Sequence, residues 1–226
     1  MNMKLPDWRV PPLDRFQNRL KLVAGFLILL WAIQLLDSVV LNWFVDWKQW
    51  LAVIPRTTRG LPGIATMHLV HDGLLYHLLP NTIPLGILLS LLAVTRRNFV
   101  EVAVAIALLG GALLWLVGRP QAHIGASLLI YGLITFHVGT GFLERKPISM
   151  VIGTVVGLLY WWTFVWGILP FQATPQISWD GHLCGALAGL IVAFLADRSI
   201  LSRRWKTIIG RPEPGSPPTS QSASLR

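Results

Sequence analysis

Six apolar runs, each about as long as a bilayer is thick, constrain this chain more than any other feature. A membrane-crossing helix needs about 20 predominantly apolar residues. Runs of that kind cover 22–45, 73–95, 99–117, 124–143, 148–169 and 181–196. In hydrocarbon the backbone polar groups must be satisfied within the segment, so such runs fold as helices. The expected fold class is an all-α membrane protein, a six-transmembrane-helix bundle. The first run follows a basic stretch, as a signal peptide would. Its apolar core is too long for one and no small-x-small site closes it, so it reads as a retained anchor.

Composition agrees. Apolar residues make up 54% of the chain and charged residues 13%, against roughly 25% charged in an ordinary soluble domain. A single cysteine, Cys184, rules out an internal disulfide and a cysteine-rich metal site. The net charge of +9 suggests an acidic partner until its placement is examined. Of the 19 basic residues, 15 precede the first run, follow the last, or lie in the turns at 96–97 and 145–146. The other side holds Lys48, Arg56, Arg59 and Arg119. The positive-inside rule then predicts both termini in the cytoplasm. The charge orients helices and gives no nucleic-acid footprint.

The expected organisation is a cytoplasmic segment 1–21, a membrane domain 22–199 and a tail 200–226, basic and then disordered past Gly210. The outer segment 46–72, rich in tryptophan, proline and glycine, is expected to lie in the membrane interface. No internal repeat is present.

Polar residues within the runs are functional candidates by default. They include Gln34, Asp37, His77, Asn81, Ser127, Tyr131, His137 and His182, with Asp180 at the mouth of the last run. Runs two, four and six all enter from the outer face, so His77, Ser127 and His182 come to similar depth. His77 and Asn81 are one helical turn apart. Together they suit acyl transfer: a serine hydroxyl needs a base, and histidine fits that role near neutral pH. A developing oxyanion needs donors, which Asn81, His77 and the free N–H groups at the start of run four can supply. Gly181, Gly185 and Gly189 form a four-residue stripe that lets helices approach, and Gly125 leaves room before Ser127. Taken singly, Ser127 also reads as a packing serine, and His77 with Asn81 as a structural hydrogen-bonded pair. Gln34, Asp37 and His137 read as structural. His68, His71 and Asp72 invite a metal reading, but no His-Glu-x-x-His pattern accompanies them. No metal or other cofactor is called for.

The set His77-x-x-x-Asn81, Gly125-Ala126-Ser127 with Tyr131, and Gly181-His182-x-x-Gly185-x-x-x-Gly189 resembles the rhomboid intramembrane serine proteases. The likeness covers roughly residues 22–196 and includes Ile54-Pro55-Arg56. It implies a rhomboid-like bundle in a bacterial inner membrane that cleaves transmembrane protein substrates. Ser127 would be the nucleophile and His182 the general base. His77, Asn81 and the Ser127 N–H would form the oxyanion hole. Tyr131 would pack on the His182 ring, Gly185 and Gly189 would support the approach of run six, and Trp161, Trp162 and Trp166 would lie near a substrate gate. The lipid bilayer is the other expected partner.

Two positions depart from the pattern. Leu128 stands where the family usually has glycine and is expected to hold runs four and six slightly apart, so Leu128→Gly is expected to speed cleavage. Pro80 lies between His77 and Asn81, cannot donate to the Tyr76 carbonyl, and is expected to bend run two. Leu128 also keeps open a non-catalytic rhomboid-like protein that binds transmembrane segments without cutting them.

Overall fold

A computed structural model of the chain describes residues 13–41, 47–170 and 177–208. Among the described residues six helices are long and apolar enough to cross a membrane. They are α1 (Leu13–Val39), α2 (Leu79–Thr95), α3 (Phe99–Val117), α4 (Ser127–Glu144), α5 (Pro147–Ile168) and α6 (Trp179–Ile208). The protein is a multi-pass integral membrane protein, an all-α bundle as the apolar runs predict.

The ends of the helices have local causes. Gly125 takes φ +109, a conformation open to glycine, so α4 starts at Ser127, three residues later than the apolar run. Arg145 ends it in the left-handed region at φ 51. Glu144 and Arg96 form an ion pair that ties the C-terminal end of α4 to the end of α2. Pro147 opens α5, where its missing N–H leaves no bond unmade. The Ser178 hydroxyl accepts the Gly181 N–H at 3.3 Å and caps α6. α6 then runs through the basic stretch to Ile208, so the boundary expected at 199–200 falls inside a helix. α1 likewise begins before residue 22. The tail expected to be disordered past Gly210 lies outside the described residues.

Pro80 lies inside one continuous helical stretch, Leu74–Thr95. Residues Leu74–Leu78 form a π turn, with the Leu78 N–H bonded to the Gly73 carbonyl at 3.0 Å. The π turn passes directly into α-helix at Leu79, so the hydrogen-bond ladder widens just before the residue that has no N–H to give.

α4 is the centre of the bundle. About 67% of its membrane window is buried, against 11% for α5. It meets α6 backbone to backbone. A methyl group at Gly185 would overlap the Leu128 carbonyl, and one at Gly189 the Gly132 carbonyl. The Thr135 hydroxyl donates across this seam to the Ala186 carbonyl at 2.8 Å.

The segment before α2 packs on the C-terminal half of α3. A Cβ at Gly111 would stand 2.7 Å from the Ile64 carbonyl oxygen, so the absence of a side chain there lets the segment lie against the helix. Val53 and His123 form a β-bridge, and the Trp115 indole donates to the Thr57 carbonyl at 2.8 Å. Asp37, buried on α1, accepts from Trp47 at 2.8 Å and pairs with Lys48 at 2.8 Å. That polar pin joins α1 to the outer segment, which explains a carboxylate inside an apolar run.

Candidate active site

The loop that delivers Ser127 is held from below. The Gly125 N–H donates to the Met67 carbonyl at 2.9 Å, and the Ala126 N–H donates to His71 Nε2 at 3.2 Å. Both anchors belong to the outer segment. The first intrahelical bond runs from the Ile130 N–H to the Ala126 carbonyl at 3.1 Å. The N–H groups of Ser127, Leu128 and Leu129 therefore stand at the free positive end of α4.

His71 accepts from Ala126, so its ring must be neutral with a lone pair on Nε2. Burial, with the nearby His77 and His68, holds its pKa down to about 3. The same logic sets His77. Its Nδ1 accepts the Asp72 N–H at 3.0 Å, which leaves the proton of the neutral ring on Nε2. That nitrogen faces Gly125, where an added Cβ would stand 2.5 Å from it. His77 thus presents a donor beside the start of α4. Asn81 is buried, and its Nδ2 has no hydrogen-bond partner.

His182 is set the opposite way. Its Nδ1 lies 2.8 Å from the Gly167 carbonyl, which only accepts. Nδ1 carries the proton, and the Nε2 lone pair is left for another donor. The ring stacks on Tyr131 at 4.1 Å between centroids and 3° between planes. The Tyr131 hydroxyl donates to the Thr163 carbonyl at 2.8 Å. Ser127 lies one helical turn before Tyr131, on the same side of α4. No Ser127–His182 hydrogen bond is formed in this state.

Leu128 does not separate α4 from α6. Its backbone touches Gly185, while its buried side chain turns to α3, where a Cβ on Gly110 would stand 2.6 Å from Leu128 Cδ2. There it packs with Val53, Met67, Leu114 and Cys184. The expectation of a wedge is overturned, because the side chain leaves the seam for space provided by a glycine on a third helix.

Asp180 points away from His182 into a second cluster. It pairs with Arg119 at 3.0 Å and accepts the Arg119 N–H at 2.8 Å. His123, buried beside it, contacts the Arg119 carbonyl at 3.1 Å and the Ser178 hydroxyl at 2.7 Å. This cluster fastens the start of α6 to the loop before α4. His137, on the C-terminal half of α4, contacts the Leu88 carbonyl at 3.1 Å.

Sequence reasoning missed His71, Thr163, Gly167 and the His123 cluster as positioning groups. Backbone carbonyls and N–H groups carry most of those contacts, and they leave no side-chain pattern to read. The one legible signal was the cluster of histidines before α2, read there only against a metal.

A polytopic bundle with a close-packed α4–α6 seam, and a serine, two histidines and an asparagine toward one end of it, defines an intramembrane polar site. The Rhomboid domain family model matches residues 59–199, and the chain belongs to that family. It is 36% identical over 188 residues to an uncharacterized protein of Mycobacterium tuberculosis (strain H37Rv), covering 76% of this chain and 73% of the relative. An uncharacterized protein of Mycobacterium bovis matches with the same figures. A third, from Mycobacterium leprae, is 30% identical over 211 residues, covering 85% of this chain and 80% of the relative.

Proposed function

We propose that this rhomboid-family protein is an intramembrane serine endopeptidase that cleaves transmembrane protein substrates, working through a Ser127–His182 dyad. His182 Nε2 takes the proton from Ser127 Oγ as Oγ attacks the scissile carbonyl carbon. The resulting oxyanion is held by the Ser127 N–H, His77 Nε2–H and Asn81 Nδ2. The protonated His182 Nε2 then delivers its proton to the leaving amine as the C–N bond breaks. A water molecule, deprotonated by the same nitrogen, releases the acyl group.

The observation that carries this reading is the opposite setting of the two rings. His182 donates a hydrogen bond from Nδ1–H to the Gly167 carbonyl and keeps a lone pair on Nε2, whereas His77 accepts a hydrogen bond at Nδ1 from the Asp72 N–H and keeps its proton on Nε2. One ring is made an acceptor and the other a donor, as a base and an oxyanion ligand require. The open Ser127–His182 contact is compatible with it, because catalytic hydrogen bonds often tighten only when substrate binds.

The second reading is a rhomboid-like protein that binds transmembrane segments without cutting them. The absence of a Ser127–His182 hydrogen bond favours it; Leu128 no longer does. Both readings place the protein in a bacterial inner membrane, termini in the cytoplasm by the distribution of basic residues. Cleavage of a membrane-anchored reporter, with a helix-breaking small-residue site near its outer boundary, separates them. The purified protein should cut it and the Ser127→Ala variant should not. Equal cutting by both would assign the activity to another nucleophile, and cutting by neither would favour the binding reading.

A further inference from the structure

Between α1, α2 and α3 lies a cavity of about 350 Å³. Its upper wall is the outer segment, which descends along α3 from Gly111, opposite Ile64, and brings His68 to the cavity. Ala65, His68 and Leu69 line it from that side. Below, the walls are apolar, with Leu22 and Phe26 from α1 and Val100 and Ala103 from α3. The α3 lining runs from Phe99 to Ala107, a length of about 12 Å along a helix. Leu22 and Val100 are also among the exposed apolar residues of the outer surface, so the cavity opens toward hydrocarbon. Its depth and walls fit an acyl chain.

The end where α1 begins, α2 ends and α3 begins is basic. Arg19 lies three and four residues before Leu22 and Val23, both of which line the cavity, and so shares their face of α1. One of its nitrogens donates to the Ala93 carbonyl at 3.0 Å and the Arg96 carbonyl at 3.3 Å. That fixes the guanidinium at the end of α2 with other N–H groups remaining. Arg97 is exposed and stands two residues before Phe99. Arg96, between these positions in the turn, is already paired with Glu144.

At the blind end His68 is buried with neither ring nitrogen in a hydrogen bond. The Ala107 carbonyl is near but outside bonding geometry, and burial holds the ring's pKa to about 4. A neutral ring there costs far less beside an apolar chain than an imidazolium would.

We propose that this cavity takes one acyl chain of an anionic phospholipid whose phosphate is held by Arg19 and Arg97. The site is separate from the proposed chemistry yet adjoins its support. The stretch that roofs the cavity also supplies the Met67 carbonyl and His71, which hold Gly125 and Ala126. A chain in the cavity braces the floor under Ser127.

The test uses the full-length protein in detergent, titrated with phosphatidylglycerol or phosphatidylcholine of equal chain length and read by native mass spectrometry. One phosphatidylglycerol per chain is expected, bound about ten-fold or more tighter than phosphatidylcholine. Arg97→Gln should reduce that preference about five-fold, the effect of one basic residue near an anionic lipid, and leave phosphatidylcholine binding unchanged. Ala103→Trp, which fills the cavity, should abolish binding of both. Glycerol 3-phosphate, a headgroup without a chain, should not compete. Equal binding of the two lipids by wild type, undiminished binding by Ala103→Trp, or competition by glycerol 3-phosphate would each overturn the proposal. If Ala103→Trp does not fold, Val100→Trp at the mouth serves in its place, with the same outcomes.

Discussion

The α4–α6 seam and the outer half of α5 hold the same histidine by different means. Along the seam, carbonyls of α4 rest against Gly185 and Gly189 with no side chain between, so the two helices have no slack. α5 meets α4 backbone to backbone near its start, where a Cβ on Gly153 would stand 2.9 Å from the His137 carbonyl oxygen, and near its end it meets a side chain, where a Cβ on Gly167 would overlap the Tyr131 hydroxyl. Its outer end carries exposed Trp161, Trp162 and Trp166. It meets the site through the Tyr131–Thr163 and His182–Gly167 bonds and a Tyr131–Phe164 stack at 5.5 Å. The position of His182 is therefore set by a rigid backbone contact, and its tautomer by a carbonyl on a helix mostly exposed to lipid.

The contrast is broken most severely at the seam. Gly185→Ala sets a methyl group against a backbone carbonyl that cannot rotate away. It should cost about 3 kcal/mol or more, seen as loss of folded protein or a large drop in thermal midpoint in detergent. Gly157→Ala, on α5, is the matched control. Its nearest neighbour would be a Val138 methyl at 3.6 Å, ordinary contact, and its midpoint should stay close to wild type.

Leu128→Ala should cost about 2–3 kcal/mol by opening a cavity among Val53, Met67, Leu114 and Cys184. Leu128→Gly should lower both stability and cleavage, reversing the expectation drawn from sequence. Higher cleavage by Leu128→Gly at unchanged stability would restore the wedge.

The outer segment should be acid-sensitive. His68 and His71 have folded pKa values near 4 and 3, below the ordinary 6.5. The unfolded chain then binds more protons between those limits, and stability falls as pH drops from about 6.5 toward 4. The slope should reach at most about 1.4 kcal/mol per pH unit for each histidine. His71→Gln should flatten it. An unchanged slope in that variant would show that His71 does not contribute. The smallest effect belongs to α5: Tyr131→Phe keeps the stack on His182 but removes the bond to Thr163, for a loss of about 1 kcal/mol.

Much of the fold was legible because hydropathy alone marks a membrane helix. The run at 99–117 coincides with α3 to the residue. The start of α4 was misjudged because Gly125 and Ala126 are apolar enough to extend the run, while the positive φ of Gly125 ends the helix. The π turn just before Pro80 was not legible, because a five-residue backbone bond has no sequence mark. Leu128 was misread because spacing along α4 does not tell which neighbour a side chain meets, and the glycine that receives it lies on α3. His77, Asn81, Ser127 and His182 stood out as polar residues where polar residues are costly. Gly167, whose carbonyl sets the tautomer of His182, did not.

The central claim is that His182 activates Ser127 for acyl transfer. Labelling the purified protein with a fluorophosphonate and mapping the adduct by mass spectrometry tests it most directly. The account predicts an adduct on Ser127 in wild type, and its loss in His182→Ala at an unchanged thermal midpoint. No adduct in wild type, equal labelling in His182→Ala, or an adduct on Ser178 beside His123 in place of Ser127 would contradict it.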